Sequence, residues 1–195
     1  SDCLVGSEMC IRDSLYNQIE KSDIDSLVKT ASQNYGDICH RYYKYKAKYF
    51  GGVKLNYWDR NAPYPSYKEP KITWNEAKSI VVKSYTSFDK RFGEIVKKFF
   101  DNSWIDARVL KGKTSGAFSH PTVPSCNPKI LLNFQGKIRD VMTLAHELGH
   151  GVHQFLANRN GVLLADTPLT LAETASVFGE MLTFKSLLNL SLIHI

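Results

Sequence analysis

The chain has 195 residues, with 25 Lys and Arg against 19 Asp and Glu (net +6), 43% hydrophobic and 23% charged. That balance excludes intrinsic disorder for the bulk of the chain, and a charge of this size is not by itself a nucleic-acid signature. The length suffices to bury a core, and no apolar run approaches the roughly 18 residues of a membrane span.

In chain order, residues 1–13 (SDCLVGSEMCIRD) follow neither a helical nor a strand period and resemble translated adaptor sequence. Residues 191–195 (SLIHI) resemble the matching piece at the other end. Both are expected to be non-native, leaving Cys3, Cys10 and His194 without functional weight and 14–190 as a fragment cut off near Leu190. The start has no basic stretch followed by an apolar one, so no secretory signal is expected. Cys3, Cys10, Cys39 and Cys126 form no close Cys-x-x-Cys pair, which argues for a reducing, cytoplasmic setting over a disulfide scaffold or zinc ribbon.

Residues 22–35 predict a helix, with Ser22 and Asp25 at capping-box spacing and Ile24, Leu27, Val28 and Ala31 on the helical period. Tyr35-Gly36 interrupts it. A second helix is expected over 37–50, with Ile38, Tyr42, Tyr45 and Tyr49 on one core-facing stripe, the lysines solvated, and Gly51-Gly52 as its stop. Residues 61–70 hold three prolines and predict an extended loop. Thr73 and Glu76 form another capping-box pair, opening a helical pattern that runs to about Phe100 with a break expected in 84–87. Residues 104–134 carry Gly112, Gly116, three prolines and the apolar run Ile130-Leu131-Leu132, which predicts a small sheet with loops. Helices resume over 140–157 and 167–190.

His146-Glu147-Leu148-Gly149-His150 matches H-E-x-x-H inside an amphipathic helix. Val141, Leu144, Ala145, Leu148, Val152 and Phe155 cluster on one side, and the two histidines, one turn apart, fall on the other. Imidazoles at i and i+4 point the same way and can reach one metal ion. Glu147 then stands where a base for a metal-bound water is needed. A catalytic zinc site takes three protein ligands and keeps an open position. The continuation H-E-x-x-H-x-x-G-x-x-H is excluded, because His153 and Leu156 occupy its glycine and histidine positions. Glu173, near the start of the next helix, is the candidate third ligand. Glu180, seven residues on, shares its face and either braces a ligand imidazole or stands as a partly exposed charge. His153 shares the metal-facing side of its helix and stands behind the ligands, lines the cleft or, at least as readily, makes a plain polar contact; it is not counted as a ligand.

HELGHGVHQ followed by PLTLAETASVFGEML resembles the oligoendopeptidase F branch of the thimet-oligopeptidase family of zinc peptidases. HRYYKYKAKYFG, YWDRNAP, ITWNEAK, WIDAR, GKTSGAFSHPTVPS and ILLNF resemble the same branch in order, so the likeness covers about 22–190. The resemblance implies a mainly α fold with a small β-sheet, a zincin-type catalytic core of a two-lobed, mostly helical peptidase, truncated at its C-terminal end. It implies one zinc ion on His146, His150 and Glu173, Glu147 as catalytic base, and short peptides as substrates. It also implies that strands in 116–134 flank the zinc helix and pair with the peptide backbone, which makes Gly116 and His120 candidate substrate contacts, His120 equally a structural residue of its loop. Further His and Tyr oxyanion donors of the family, and its N-terminal lobe, are expected beyond the ends of this chain. The expected function is therefore a zinc-dependent endopeptidase, without nucleic-acid or membrane partners. The alternatives are a zinc-retaining but inactive peptide-binding fragment and, from the interleaved bases and aromatics of 41–50, a single-stranded nucleic-acid binder.

Overall fold

In the computed structural model the described residues are 16–52, 54–64 and 70–190, so the adaptor-like segments, with Cys3, Cys10 and His194, lie outside them. The chain forms two compact units, Ser1–Lys68 and Glu69–Ile195. Among the described residues Cys39 and Cys126 are exposed free thiols, and no helix is long and apolar enough to cross a membrane.

The first unit holds α1 (Lys21–Gln33), a five-residue π turn (Gly36–His40), α2 (Arg41–Tyr49) and a 3-10 turn (Tyr57–Asn61). The cap of α1 is not the Ser22–Asp25 pair but Glu20 with Asp23, whose Oδ2 accepts from the Glu20 N–H at 3.1 Å. Asp25 is taken up instead by Lys21, one turn back. Tyr35-Gly36 does not end the helical path; the His40 N–H bonds the Tyr35 carbonyl at 2.9 Å and the π turn leads into α2. Gly51, at φ +70°, ends α2 in the left-handed region that glycine enters without strain.

The expected burial of the tyrosine stripe is corrected. Ile38, Tyr42, Tyr45 and Tyr49 are all exposed, while Lys46 is only 3% exposed. The Lys46 ammonium donates to the Arg60 carbonyl at 2.8 Å and lies 5.8 Å from the ring centroids of both Phe50 and Tyr64. A carbonyl dipole and two π faces thus replace water around that charge. The tyrosines turn to one another: the Tyr45 and Tyr49 hydroxyls are 2.7 Å apart, and Tyr49 packs edge-on against Tyr64.

The second unit runs α3 (Trp74–Phe88), α4 (Lys90–Asp101), β1 (Ile105–Asp106), β2 (Phe118–His120), β3 (Lys129–Leu131), α5 (Ile138–Ala157), a 3-10 turn (Asn158–Asn160) and α6 (Leu169–Asn189). The Thr73–Glu76 capping box forms as the sequence predicts: Glu76 N donates to Thr73 Oγ1 at 3.3 Å and Thr73 N to Glu76 Oε2 at 2.7 Å. The Thr73 N–H and hydroxyl, both donating to Oε2, hold the Glu76 carboxyl below its ordinary range. The break expected at 84–87 is absent, because the Ser84, Thr86 and Ser87 hydroxyls donate back to the carbonyls of Ile80, Val82 and Lys83 and fit inside the helix. The chain turns instead at Asp89, whose Oδ1 caps α4 by accepting from Arg91 N at 2.7 Å.

The sheet has order β1-β3-β2, with β1 parallel and β2 antiparallel to the central β3, so among the described residues β2 keeps an unpaired outer edge. The buried face of α5 (Val141, Leu144, Leu148, Val152) meets Phe99 of α4, Ile130 of β3 and the stripe Ser176, Gly179, Thr183 and Leu187 of α6 in one core. Gly149 and Gly179 permit close approaches in this core. A Cβ on Gly149 would stand 2.5 Å from the Ala175 carbonyl oxygen, and one on Gly179 would fall on the Tyr85 hydroxyl. That hydroxyl donates to the Ala145 carbonyl at 2.7 Å, tying α3 to the helix that carries the H-E-x-x-H motif. The architecture is mainly helical with a small three-stranded sheet, as expected.

Candidate metal centre

The face of α5 opposite its buried stripe carries His146 and His150, and α6 crosses close enough to add Glu173. His146 Nε2 is 3.4 Å from Glu173 Oε2, and His150 Nε2 is 3.6 Å from Glu173 Oε1. One ligand atom from each of the three residues can be chosen so that all lie within 4.8 Å of one another. Donors about 2.0–2.2 Å from one tetrahedral metal ion lie roughly 3.3–3.6 Å apart; the two His–Glu173 separations match that spacing, each through a different carboxylate oxygen, and the three side chains together could hold a metal ion. Glu173 is kept in place by Ser176, whose hydroxyl donates to Glu173 Oε2 at 2.7 Å.

Glu180 stands at the other nitrogen of His146, with Oε2 3.2 Å from Nδ1. With the imidazole proton on Nδ1, this carboxylate accepts it and leaves the Nε2 lone pair facing Glu173. Glu147 is 6% exposed. Burial pushes its carboxyl up, His146 pulls it down, Glu173 pushes it up again and the Ser119 backbone pulls it down, with a net rise. His150 is held below its ordinary range chiefly by burial, against the pull of Glu173 and with His146 and His153 adding to the lowering. A neutral imidazole is the form that ligates a metal. His153 is half-buried and lies three residues beyond His150 on α5.

A cleft of about 510 Å³ opens beside these residues, lined by Gly116, Ala117, Leu132, Asn133, Arg139, Asp140, Met142, Thr143, His146, Glu147 and Glu180. Gly116, at φ +90°, thus lies on the cleft wall, where Asn133 Nδ2 donates to its carbonyl at 3.1 Å. His120 is not among the lining residues; its Nδ1 accepts from the Thr122 N–H at 2.9 Å and closes a local turn. Ser119 on β2 and Gln154 on α5 exchange hydrogen bonds of 2.8 and 3.2 Å, which lays the strand along the helix.

Several contributors escaped the sequence reading. Arg139 and Thr143 fall at i and i+4 ahead of His146 at i+7, a helical face legible in principle. Ser176 follows Glu173 by three residues, the spacing of a local side-chain bond. Tyr85 and the Lys113 contacts described below join residues distant in sequence, and no local pattern reports them.

A helix with H-E-x-x-H, a carboxylate from the crossing helix and an edge strand beside them define a metallopeptidase-type site. Residues 4–194 match Peptidase family M3, a metallopeptidase family, and the chain belongs to it. It is 30% identical over 174 residues to oligopeptidase PepF of Bacillus subtilis (strain 168), covering 89% of this chain and 26% of that protein. It is 32% identical over 174 residues to group B oligopeptidase PepB of Streptococcus agalactiae serotype III (strain NEM316), covering 89% and 28%. Further relatives from Lactococcus lactis carry the name oligoendopeptidase F, the branch expected from the sequence. The fold resembles that of PZ peptidase A, solved with an inhibitor, at a TM-score of 0.76 and 21% identity over 90% of this chain and 32% of that one. The chain spans less than a third of the length of these proteins.

Proposed function

We propose that the chain carries the zinc-binding core of an oligoendopeptidase that hydrolyses short peptides by attack of an activated water, with Glu147 as general base. The observation that carries the reading is the meeting of His146, His150 and Glu173, from two crossing helices, with donor atoms 3.4 and 3.6 Å apart beside a buried Glu147. Two imidazoles and a carboxylate are a donor set suited to zinc, in keeping with the family. Bound there, zinc would polarise the scissile carbonyl and acidify a water.

The chain's own groups supply the rest. Glu147, buried directly beside the ligand His146, is placed to take a proton from the attacking water and to return it to the leaving amine. Glu180 holds the His146 ring in its ligating tautomer and orientation. The outer edge of β2 offers backbone groups to an extended peptide, and Gly116 at its head lets the peptide approach closely.

The test is cleavage of an internally quenched peptide by the zinc-loaded chain and its Glu147→Gln variant. Loss of a general base lowers the rate by about 10²–10⁴-fold. An unchanged rate removes Glu147 from the mechanism. A wild-type chain that binds zinc and peptide yet never cleaves identifies a peptide-binding fragment, the reading its share of the relatives' length also allows.

A further inference from the structure

We propose that Arg139 is a specificity-determining residue that receives a substrate carboxylate, an acidic side chain or the C-terminal carboxylate, about three residues from the scissile bond. The proposal rests on the peptidase reading of the cleft and names part of what the cleft selects.

Among the described residues that line the cleft, Arg139 is the one permanent cation. The acidic residues around it already have partners. Asp140 Oδ2 accepts from the Gln135 and Lys137 N–H groups at 2.8 and 3.0 Å, and Glu180 stands against His146. The Arg139 guanidinium is exposed and makes no hydrogen bond or ion pair with a described residue. A guanidinium facing a cleft, with its donors unclaimed, matches the geometry of a carboxylate better than any other common peptide group.

Position supplies the distance. Arg139 lies seven residues before His146 on one face of α5. At 1.5 Å per residue that is roughly 10 Å along the helix, and an extended peptide covers it in about three residues. β2 marks the path. The Gly116 and Ala117 end lines the cleft with Arg139, while Ser119 is bonded to Gln154 farther along α5, so strand and helix run side by side in the same direction. A peptide paired to the outer edge of β2 and crossing the His146–His150 pair would pass Arg139 at one end. Asn133, which donates to the Thr114 and Gly116 carbonyls at 3.0 and 3.1 Å, keeps that wall in place.

The test uses fluorescein-labelled peptides of one neutral, amidated sequence. Variants carry Glu at the third residue on either side of the scissile bond, or a free C-terminal carboxylate at the same distance beyond it. Binding by anisotropy and kcat/KM for cleavage are both measured for the wild-type chain, Arg139→Gln and Arg139→Glu. At least one carboxylate peptide is expected to bind about tenfold better than the neutral one, the effect of a single charge-assisted pair. Arg139→Gln should abolish that preference, so that carboxylate and neutral peptides bind alike, and Arg139→Glu should invert it. Whichever peptide gains identifies the side chain or the chain end as the source. Absence of preference in the wild type overturns the proposal, as does a preference that survives Arg139→Gln or an equal loss for all peptides. If the neutral peptide is bound and cleaved without discrimination, only this proposal fails; if the wild-type chain neither binds nor cleaves any peptide, the peptidase reading fails with it.

Discussion

Substituting Gly149 by Ala tests whether the crossing of α5 and α6 sets the metal centre. The added Cβ would lie 2.5 Å from the Ala175 carbonyl oxygen and 2.7 Å from Ser176 Cα, against an ordinary contact of 3.4 Å or more. Relieving the first contact needs an opening of 3.4 − 2.5, or 0.9 Å, between the helices. Both atoms belong to backbone, so no side chain can swing aside. Glu173 lies two residues before Ala175 and moves with it, away from His146 and His150. Metal sites tolerate ligand errors of about 0.2 Å, so this shift should cost the carboxylate ligand. We expect zinc affinity, measured by chelator competition, to fall by at least about 100-fold, the upper range for disturbing even an indirect support. The fold should lose less. Overpacking costs about 1–3 kcal/mol, and Ala in place of Gly within a helix returns up to about 1 kcal/mol. A folded Gly149→Ala chain that binds zinc with wild-type affinity would refute the claim that this contact aligns the ligands.

Three further outcomes follow from the packing. In the metal-free chain Glu147 binds its proton more tightly folded than unfolded, so its contribution to stability is fully present below the ordinary carboxylate range and is lost as pH rises through its raised pKa. The melting temperature of Glu147→Gln should therefore exceed that of wild type by a margin that widens from about pH 4.5 upward; a gap that narrows over that range contradicts the burial argument. Thr183 is fully buried, and its Oγ1 has no hydrogen-bond partner among the described residues, so Thr183→Val should stabilise the chain by about 1 kcal/mol in denaturant melts. The Lys113 ammonium donates to the carbonyls of Asp106, Arg108 and Leu132 at 3.0, 2.9 and 2.8 Å and lies 2.9 Å from Asp106 Oδ1. Lys113→Met should cost about 2–3 kcal/mol and raise hydrogen exchange in residues 107–117, and a chain as stable as wild type would mean those carbonyls find other donors.

What could be read from the sequence was whatever local spacing encodes. The apolar stripe of α5 and the i, i+4 histidines report one helix, and the Thr73–Glu76 pair reports one helix start, because each is a contact within a turn or two. Where two local patterns compete the reading slipped. Ser22–Asp25 and Glu20–Asp23 offer the same cap spacing, and Lys21 decides between them by taking Asp25. Ser84–Ser87 looks like a loop until its hydroxyls are seen returning to helix carbonyls. The reversal of Lys46 and the tyrosines depends on Arg60 and Tyr64, which periodicity along α2 cannot register. The same limit hid Lys113 and Tyr85, whose partners lie up to 60 residues away.

The phenol of Tyr85 works as an index pin for three helices at once. It hangs from the Ala145 carbonyl, next to the first histidine, and occupies the notch that Gly179 leaves in α6. Advancing α6 by one residue, about 1.5 Å along its axis with a turn of roughly 100°, would drive Phe178 or Glu180 into that notch. Partial misregistration is thereby forbidden, and the two halves of the centre are either seated or apart. A weakened variant should accordingly keep an intact centre in its seated molecules and lose apparent zinc affinity in proportion to the fraction that is seated.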